Sequence, residues 1–366
     1  MNLLKISSSP HIHENVDVKK VMWSVVIALM PALVAAYIFF GLRSIWLTAL
    51  GVISAVVVEA LTQLFMKKPV TVSDGSAVIT GLLLAFNLPP EAPFWFPIIG
   101  SAFAIIIGKQ VFGGLGYNPV NPALLGRAFL MASWPAQMTT GWTSKMARLG
   151  VSTISGLKTN IIPGGSVYLQ NLITSATPLN LAQQIRNDIV GGAAGDSART
   201  VFHSLSSLDY IKNLFWGNIG GCIGEVSAAA LIIGAAFLVY KHYIEWRIPL
   251  SYIGTVAILS WFLGGIDGLF SGPILFHIFS GGLILGAFFM ATDMVTSPVT
   301  KKGRLIFGIG CGIFTVVIRL WGGYPEGVSY SILIMNIAVP LIDKLTPQKP
   351  FGYRKIETSP TKSVSR

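Results

Sequence analysis

The sequence predicts an all-α polytopic membrane protein, with about ten transmembrane helices in two inverted five-helix repeats, some of the helices broken. Three observations predict it. Hydrophobic residues make up 52% of the 366 positions and charged residues 11%, against roughly a quarter charged in soluble domains. A chain so poor in charge cannot cover its outside with polar side chains, so lipid is its solvent. The apolar runs are separated by short joints whose basic residues fall on one side. A Gly-Gly-aromatic element recurs five apolar segments apart, at Gly113-Gly114 to Tyr117 and at Gly322-Gly323-Tyr324.

Residues 1–20 are mostly polar and carry Lys5, Lys19 and Lys20. They show no small-residue cleavage site before the first apolar run, which therefore reads as a retained helix. Segments 21–40 and 45–65 are long and uninterrupted. The next three, 75–89, 94–111 and 121–135, are short. One ends at Pro89-Pro90 and another begins at Pro122. Short, Pro-interrupted segments often mark broken helices that line a site inside a bundle. Residues 136–217 form a long connection rich in Gly, Ser and Thr, which is either functional or disordered. Segments 218–240, 248–265, 271–290, 305–322 and 328–345 make the second set of five. Residues 346–366 are a polar tail.

If ten helices alternate, Lys19, Lys20, Lys67, Lys68, Lys109, Lys241, Arg247, Lys301, Lys302, Arg304, Lys349, Arg354 and Lys355 share one side. The other short joints hold Arg43, Glu91, Asp267 and Glu326. The positive-inside rule then places both termini in the cytoplasm and residues 136–217 outside it, where long loops escape the charge rule. The inverted repeat has a second element: Thr80–Pro89 resembles Ser280–Met290, again five segments apart. Inverted repeats place sites near their interface at mid-depth.

Net charge is +11, but the charges form no basic patch with interleaved aromatics, so nucleic acid is excluded as a partner. Cys222 and Cys311 lie in apolar runs without a Cys-x-x-Cys pair and read as buried free thiols; one copy cannot supply a four-cysteine cluster. His11, His13, His203, His242 and His277 lack metal-ligand spacing; no metal site is expected, and His277 reads as a satisfied bundle histidine. Gly113-Gly114-x-Gly116 is not a dinucleotide fingerprint, because no strand-turn-helix unit surrounds it.

Glu59 and Glu225 fall within the second and sixth apolar segments. A charge at a helix centre costs roughly 2.5–3.5 kcal/mol on insertion scales, so function is the default reading. Both are candidates for an ion path, with a packed, protonated or capping carboxyl as the alternative. Asp74 and Asp293 lie at segment ends and read as loop-shaping residues, with Arg127 and Arg319 as candidates either to partner them or to contact a cofactor phosphate, no pairing being assignable from sequence. The run Asn118-Pro119-Val120-Asn121-Pro122 forces extended or turn geometry before each proline, and both prolines lack an N–H. Such backbone must face protein or a polar ligand in lipid. Asn118 and Asn121 are therefore candidates to bind a ligand or line an ion path, against a turn satisfied internally.

The run Asn171 to Leu179, NLITSATPL, resembles the flavin-attachment sequence of the family comprising the D subunit of Rnf electron-transport complexes and the B subunit of sodium-translocating NADH:quinone reductase. The resemblance extends along most of the chain: Ser8–His11, Asp74–Ala77, Thr80–Ala85, Gly116–Ala123, Gly224-Glu225, Met290–Pro298, and Arg319 with Gly322–Gly327. The opening and the length are closer to the Rnf member of the family. The resemblance implies FMN joined by a phosphoester to Thr177, with Ser175 and Ala176 leading into it. Asn171 and Ser175 depart from the Asp and Gly usual in the pattern. It implies noncovalent riboflavin among the helices, with Asn118 and Asn121 as candidates to contact it. It also implies a bacterial cytoplasmic-membrane complex coupling electron flow from ferredoxin to NAD to sodium or proton translocation. This chain would relay electrons and not be catalytic alone. Partners would be a flavinylated extracytoplasmic subunit, iron–sulfur membrane subunits and a flavin transferase. Two rivals from other classes are a urea- or ammonium-channel-like transporter, since inverted five-helix halves build those too, and a cofactor-free scaffold subunit.

Overall fold

A computed structural model describes residues 17–142, 177–190, 196–217, 219–323 and 326–347, and among them there are helices and no strands. In chain order they are α1 (Val18–Phe40), α2 (Leu42–Phe65), α3 (Ser76–Phe86), α4 (Trp95–Ile105), α5 (Pro122–Ser133) and α6 (Pro135–Thr139). Then come α7 (Pro178–Val190), α8 (Asp196–Leu205), α9 (Leu208–Trp216), α10 (Ala228–Tyr240) and α11 (Arg247–Leu263). The chain ends with α12 (Ile274–Phe279), α13 (Leu283–Leu285), α14 (Lys301–Trp321) and α15 (Val328–Leu345).

Among the described residues four helices, α1, α2, α14 and α15, are long and apolar enough to cross a membrane. α1 and α2 bury only 33% and 28% of their apolar windows. Ile27, Val34 and Ile38 on α1, and Ile53, Leu61 and Leu64 on α2, point outward. So large an apolar exterior on a folded chain matches a hydrocarbon solvent, and helices satisfy their own backbone there. The chain is a multi-pass membrane protein. The shorter apolar helices α3, α4, α10 and α11 pack among the long ones.

Inside, Leu29, Leu47, Leu84, Phe86, Phe96, Leu124, Tyr252 and Phe307 form one continuous core. Small residues set the crossings, as in membrane bundles generally. On α3, a Cβ at Gly81 would lie 2.5 Å from the Gly51 carbonyl of α2. On α10, a Cβ at Gly234 would collide with the Ala28 carbonyl of α1. Gly234→Val is therefore expected to pry α1 from α10, costing at least the about 1–3 kcal/mol typical of overpacking. Size-exclusion of detergent extracts should show loss of the monodisperse peak for Gly234→Val. Gly254→Val, where nothing lies within 4 Å, should behave as wild type.

Two expected helices are interrupted. Within the segment read as 218–240, the helix begins only at Ala228. Just before it, Ile223 N–H donates to Leu88 O at 3.0 Å and Gly224 N–H to Phe86 O at 2.9 Å, so this stretch caps the carbonyl end of α3. Glu225 consequently sits on irregular backbone rather than at a helix centre. The segment 271–290 breaks at Ser280–Gly282 into α12 and α13. The described parts of the connection 136–217 are helical. Leu179, Leu181, Ile185, Phe202, Leu205 and Leu214 form a small second core there that rests on Phe276.

Both α4 and α13 run on into a single wide turn with i+5 hydrogen bonding, at Ile106–Gln110 and Gly286–Met290. Such bulges rotate the following side chains and recur at functional sites.

Candidate functional site

The bulge after α4 has a direct consequence for charge. It turns the consecutive residues Lys109 and Gln110 toward α2, where Glu59 lies. Lys109 Nζ donates to Glu59 Oε1 and to Ser76 Oγ, both at 2.6 Å. Gln110 Nε2 donates to the same carboxylate oxygen at 2.9 Å, and Gln63 Nε2 at 3.3 Å. Glu59 Oε2 is buried and has no partner among the described residues. Lys109, counted from sequence among the surface bases, is 2% exposed. Glu59 is thus a paired carboxylate with one oxygen left over. Asp74 caps α3 through Ser76 N and Oγ at 2.8 and 2.7 Å. Asp293 closes a turn by accepting from Val295 N and Thr296 Oγ1. Both aspartates shape loops, as the sequence indicates.

A second buried network joins the two halves of the chain. Arg127 on α5 donates to Asn87 Oδ1 at 2.9 Å and to Ser329 Oγ at 2.6 Å, and pairs with Glu326. Cys222 Sγ contacts the Asn87 carbonyl at 3.5 Å. Glu225 Oε1 accepts from Cys222 N–H at 2.9 Å. Arg127 therefore serves neither Asp74 nor Asp293. Glu326, read as an acid on an outer joint, is 7% exposed. Sequence reading missed the pair; the one available signal was an arginine inside the apolar run PALLGRAFLMAS. Donor atoms of Cys222, Glu225 and Glu326 lie within 4.8 Å of one another, and the Arg127 guanidinium already pairs with Glu326 and lies 3.9 Å from Cys222 Sγ. Cys222 and Cys311 are buried free thiols.

Asn121 caps α5: its Oδ1 accepts from Ala123 and Leu124 N–H, and its Nδ2 donates to Met290 O at 3.3 Å. The side chain is spent on structure, tying the α5 start to the bulge after α13. Asn118 Nδ2 donates to Val120 O at 3.2 Å, which leaves its Oδ1 free among the described residues. Both line a cavity of ≈ 90 Å³ between the halves, together with Lys109, Thr80, Phe289 and Asp293. That is below the roughly 300–1,000 Å³ of small-molecule sites. A tricyclic flavin ring fits it only if lining residues move apart.

Thr177 stands immediately before α7. Its Oγ1 accepts from Asn180 N–H at 3.3 Å and its carbonyl accepts from Leu181 N–H at 3.0 Å, which makes it the helix N-cap. Pro178 occupies the first helical position, where no N–H is needed. A helix N-terminus with free amides is a ready-made site for a phosphate. The hydroxyl fits a phosphoester: its hydrogen goes to no acceptor among the described residues, and the dipole of α7 favours the added negative charge. Thr177 is 5% exposed, so its side chain is seated in protein rather than displayed on an open surface. Asn171, Ser175 and Ala176 lie outside the described residues.

A sequence profile of the NQR2, RnfD, RnfE family matches residues 5–352. The chain is similar to the D subunit of the Na(+)-translocating ferredoxin:NAD(+) oxidoreductase complex of Acetobacterium woodii, at 48% identity over 354 residues and 97% of each chain. It is 45% identical to the D subunit of the proton-translocating ferredoxin:NAD(+) oxidoreductase complex of Clostridium ljungdahlii, covering 97% of this chain and 98% of that one. It is 36% identical to the D subunit of the ion-translocating oxidoreductase complex of Sodalis glossinidius, covering 96% and 99%.

Proposed function

The chain belongs to the NQR2, RnfD, RnfE family, and from that premise we propose that it is the membrane-embedded D subunit of an Rnf complex. The complex would oxidise ferredoxin, reduce NAD and move an ion across the bacterial cytoplasmic membrane. The observation that carries this is the near end-to-end likeness to subunits of that name. The two relatives of nearly equal identity are named for different ions, so overall likeness does not choose between sodium and proton.

Thr177 is the proposed anchor for FMN, with Ser175 and Ala176 as the small residues that let a flavin transferase enclose the backbone. Bound there, FMN supplies a carrier that accepts and releases electrons one at a time. Thr177 Oγ1 holds the phosphoester, and the first turn of α7 balances its charge. Because Thr177 is buried, attachment precedes the final packing of this segment. Asn118 Oδ1 is the proposed hydrogen-bond acceptor for a second, noncovalent flavin, riboflavin, in the cavity between the halves; Asn121 holds the wall of that cavity through Met290 O. Glu59, with one unpaired oxygen, and Glu225 remain the proposed ion-path carboxylates.

The arrangement of the helices supports two inverted halves, 21–135 and 218–345. α1 packs on α10 and α5 on α15, the same ordinal elements of each half. α2 packs on α4 as α11 packs on α14. Lysines or arginines flank the start of α1, the end of α2, the joint between α10 and α11 and the start of α14. This supports cytoplasmic segments 1–20 and 346–366 and an extracytoplasmic 136–217. The partners proposed with it are a flavinylated extracytoplasmic subunit and iron–sulfur membrane subunits.

The test is peptide mass. In complex isolated from cells that express the flavin transferase, the peptide bearing Thr177 should carry the mass of FMN less one water. An unmodified peptide from complex that still turns over would refute the assignment.

A further inference from the structure

Among the described residues, three lysine or arginine side chains are deeply buried in the helical core, and two of them meet a carboxylate: Lys109 meets Glu59 and Arg127 meets Glu326. Arg319 on α14 makes no ion pair among the described residues, Glu225 and Glu326 acting on it only from a distance. It is 3% exposed and holds only two carbonyls, His277 O through Nη1 at 2.6 Å and Ser280 O through Nη2 at 3.1 Å. Its Nε is buried without a partner among the described residues.

Arg186 on α7 shows the same pattern. Its Nη2 donates to Leu263 O at 3.2 Å, its guanidinium lies 5.7 Å from the Trp321 ring centre, and its Nη1 is buried without a partner among the described residues. Burial pushes this guanidinium below its ordinary value. Both arginines line one cavity of ≈ 20 Å³, with His277, Gln183 and Leu179, and no acid lines it among the described residues. Carbonyl dipoles offset only part of a buried charge, and an unpaired one is strongly destabilising. A water-sized occupant needs about 10–15 Å³, so the cavity holds a single atom-sized group and not a whole phosphate.

We propose that this cavity between α7, α12 and α14 is a seat for one anionic atom, bound by Arg319 Nε and Arg186 Nη1. Two sources share that chemistry: a free halide such as chloride, and one oxygen of a phosphoester on Thr177, two residues before the cavity-lining Leu179. In either case the anion locks α7 onto the helical core, beside the Gln183 to Gly322 O hydrogen bond of 2.6 Å. The seat does not depend on the flavin reading, since the halide source stands if Thr177 proves unmodified.

The experiment compares thermal stability of the full chain in detergent in sodium chloride, sodium bromide and sodium gluconate at equal ionic strength. It uses the flavinylated chain and Thr177→Ala. A free halide raises the midpoint, saturably, in both proteins. A phosphoester oxygen makes the halide effect appear only in Thr177→Ala. In each case Arg186→Gln weakens the effect and Arg319→Gln removes it, and bromide gives an anomalous scattering peak in the cavity. Arg186, the less buried of the two, keeps the test open should Arg319→Gln fail to fold. No halide effect in either protein, with no bromide peak, means a water-filled cavity and overturns the proposal. A halide effect untouched by Arg186→Gln does the same.

Discussion

Thr177→Ala, co-expressed with the flavin transferase, is expected to abolish the fluorescent flavin band on a denaturing gel, whereas Thr177→Ser retains it. Alanine has no oxygen to carry a phosphoester; serine has one at the same place on the α7 cap. The structural cost of the alanine is small by comparison. Losing the cap to Asn180 N–H costs typically about 1 kcal/mol, which a bundle of this size tolerates. The variant should therefore extract as the same monodisperse species as wild type while carrying no covalent flavin. That separation makes the result interpretable: a dark gel from intact protein implicates the hydroxyl itself. If the alanine variant fluoresces at wild-type intensity, the anchor lies elsewhere.

The second large effect concerns the pair that bridges the halves. Arg127→Ala is expected to destabilise the chain by about 3–5 kcal/mol, the range for removing one partner of a buried pair. Glu326 would be left charged and buried, and Asn87 Oδ1 and Ser329 Oγ would lose their donor. The effect exceeds that of a surface ion pair, worth about 0–1 kcal/mol, because water cannot replace the guanidinium. Substituting both partners, Arg127→Met with Glu326→Gln, should recover part of the loss by removing the stranded charge. Tryptophan-fluorescence melts in detergent would read both. An Arg127→Ala protein that melts with wild type would show that the pair contributes nothing to holding α5 to α15.

Much of the protein was legible in one dimension. The long helices α1, α2, α14 and α15 follow from apolar runs of a length that spans a bilayer, because hydropathy is a local property. The Thr177 neighbourhood was legible as a short string of small and hydroxyl residues, and the loop-shaping roles of Asp74 and Asp293 followed from their places at segment ends. Apolar composition could not show that the backbone around Cys222 is irregular. The amides just after it donate to the end of α3, more than 130 residues earlier, and hydrogen bonding at that range leaves no periodicity.

The sequence alone thus determined the solvent and the chain's class, since both depend on composition and on local runs, while the candidate anchor came from resemblance to a known family. Only the tertiary structure decided which buried charges are partners. Glu59 and Lys109 are 50 residues apart and Arg127 and Glu326 are 199 apart. Their meeting is set by helix crossings such as that of α5 on α4, where a Cβ at Gly126 would lie 2.7 Å from Gly100 O, and by the wide turn that rotates Lys109 inward. Coulomb attraction acts through space, so no spacing along the chain could reveal that Arg319, unlike Lys109 and Arg127, makes no ion pair among the described residues.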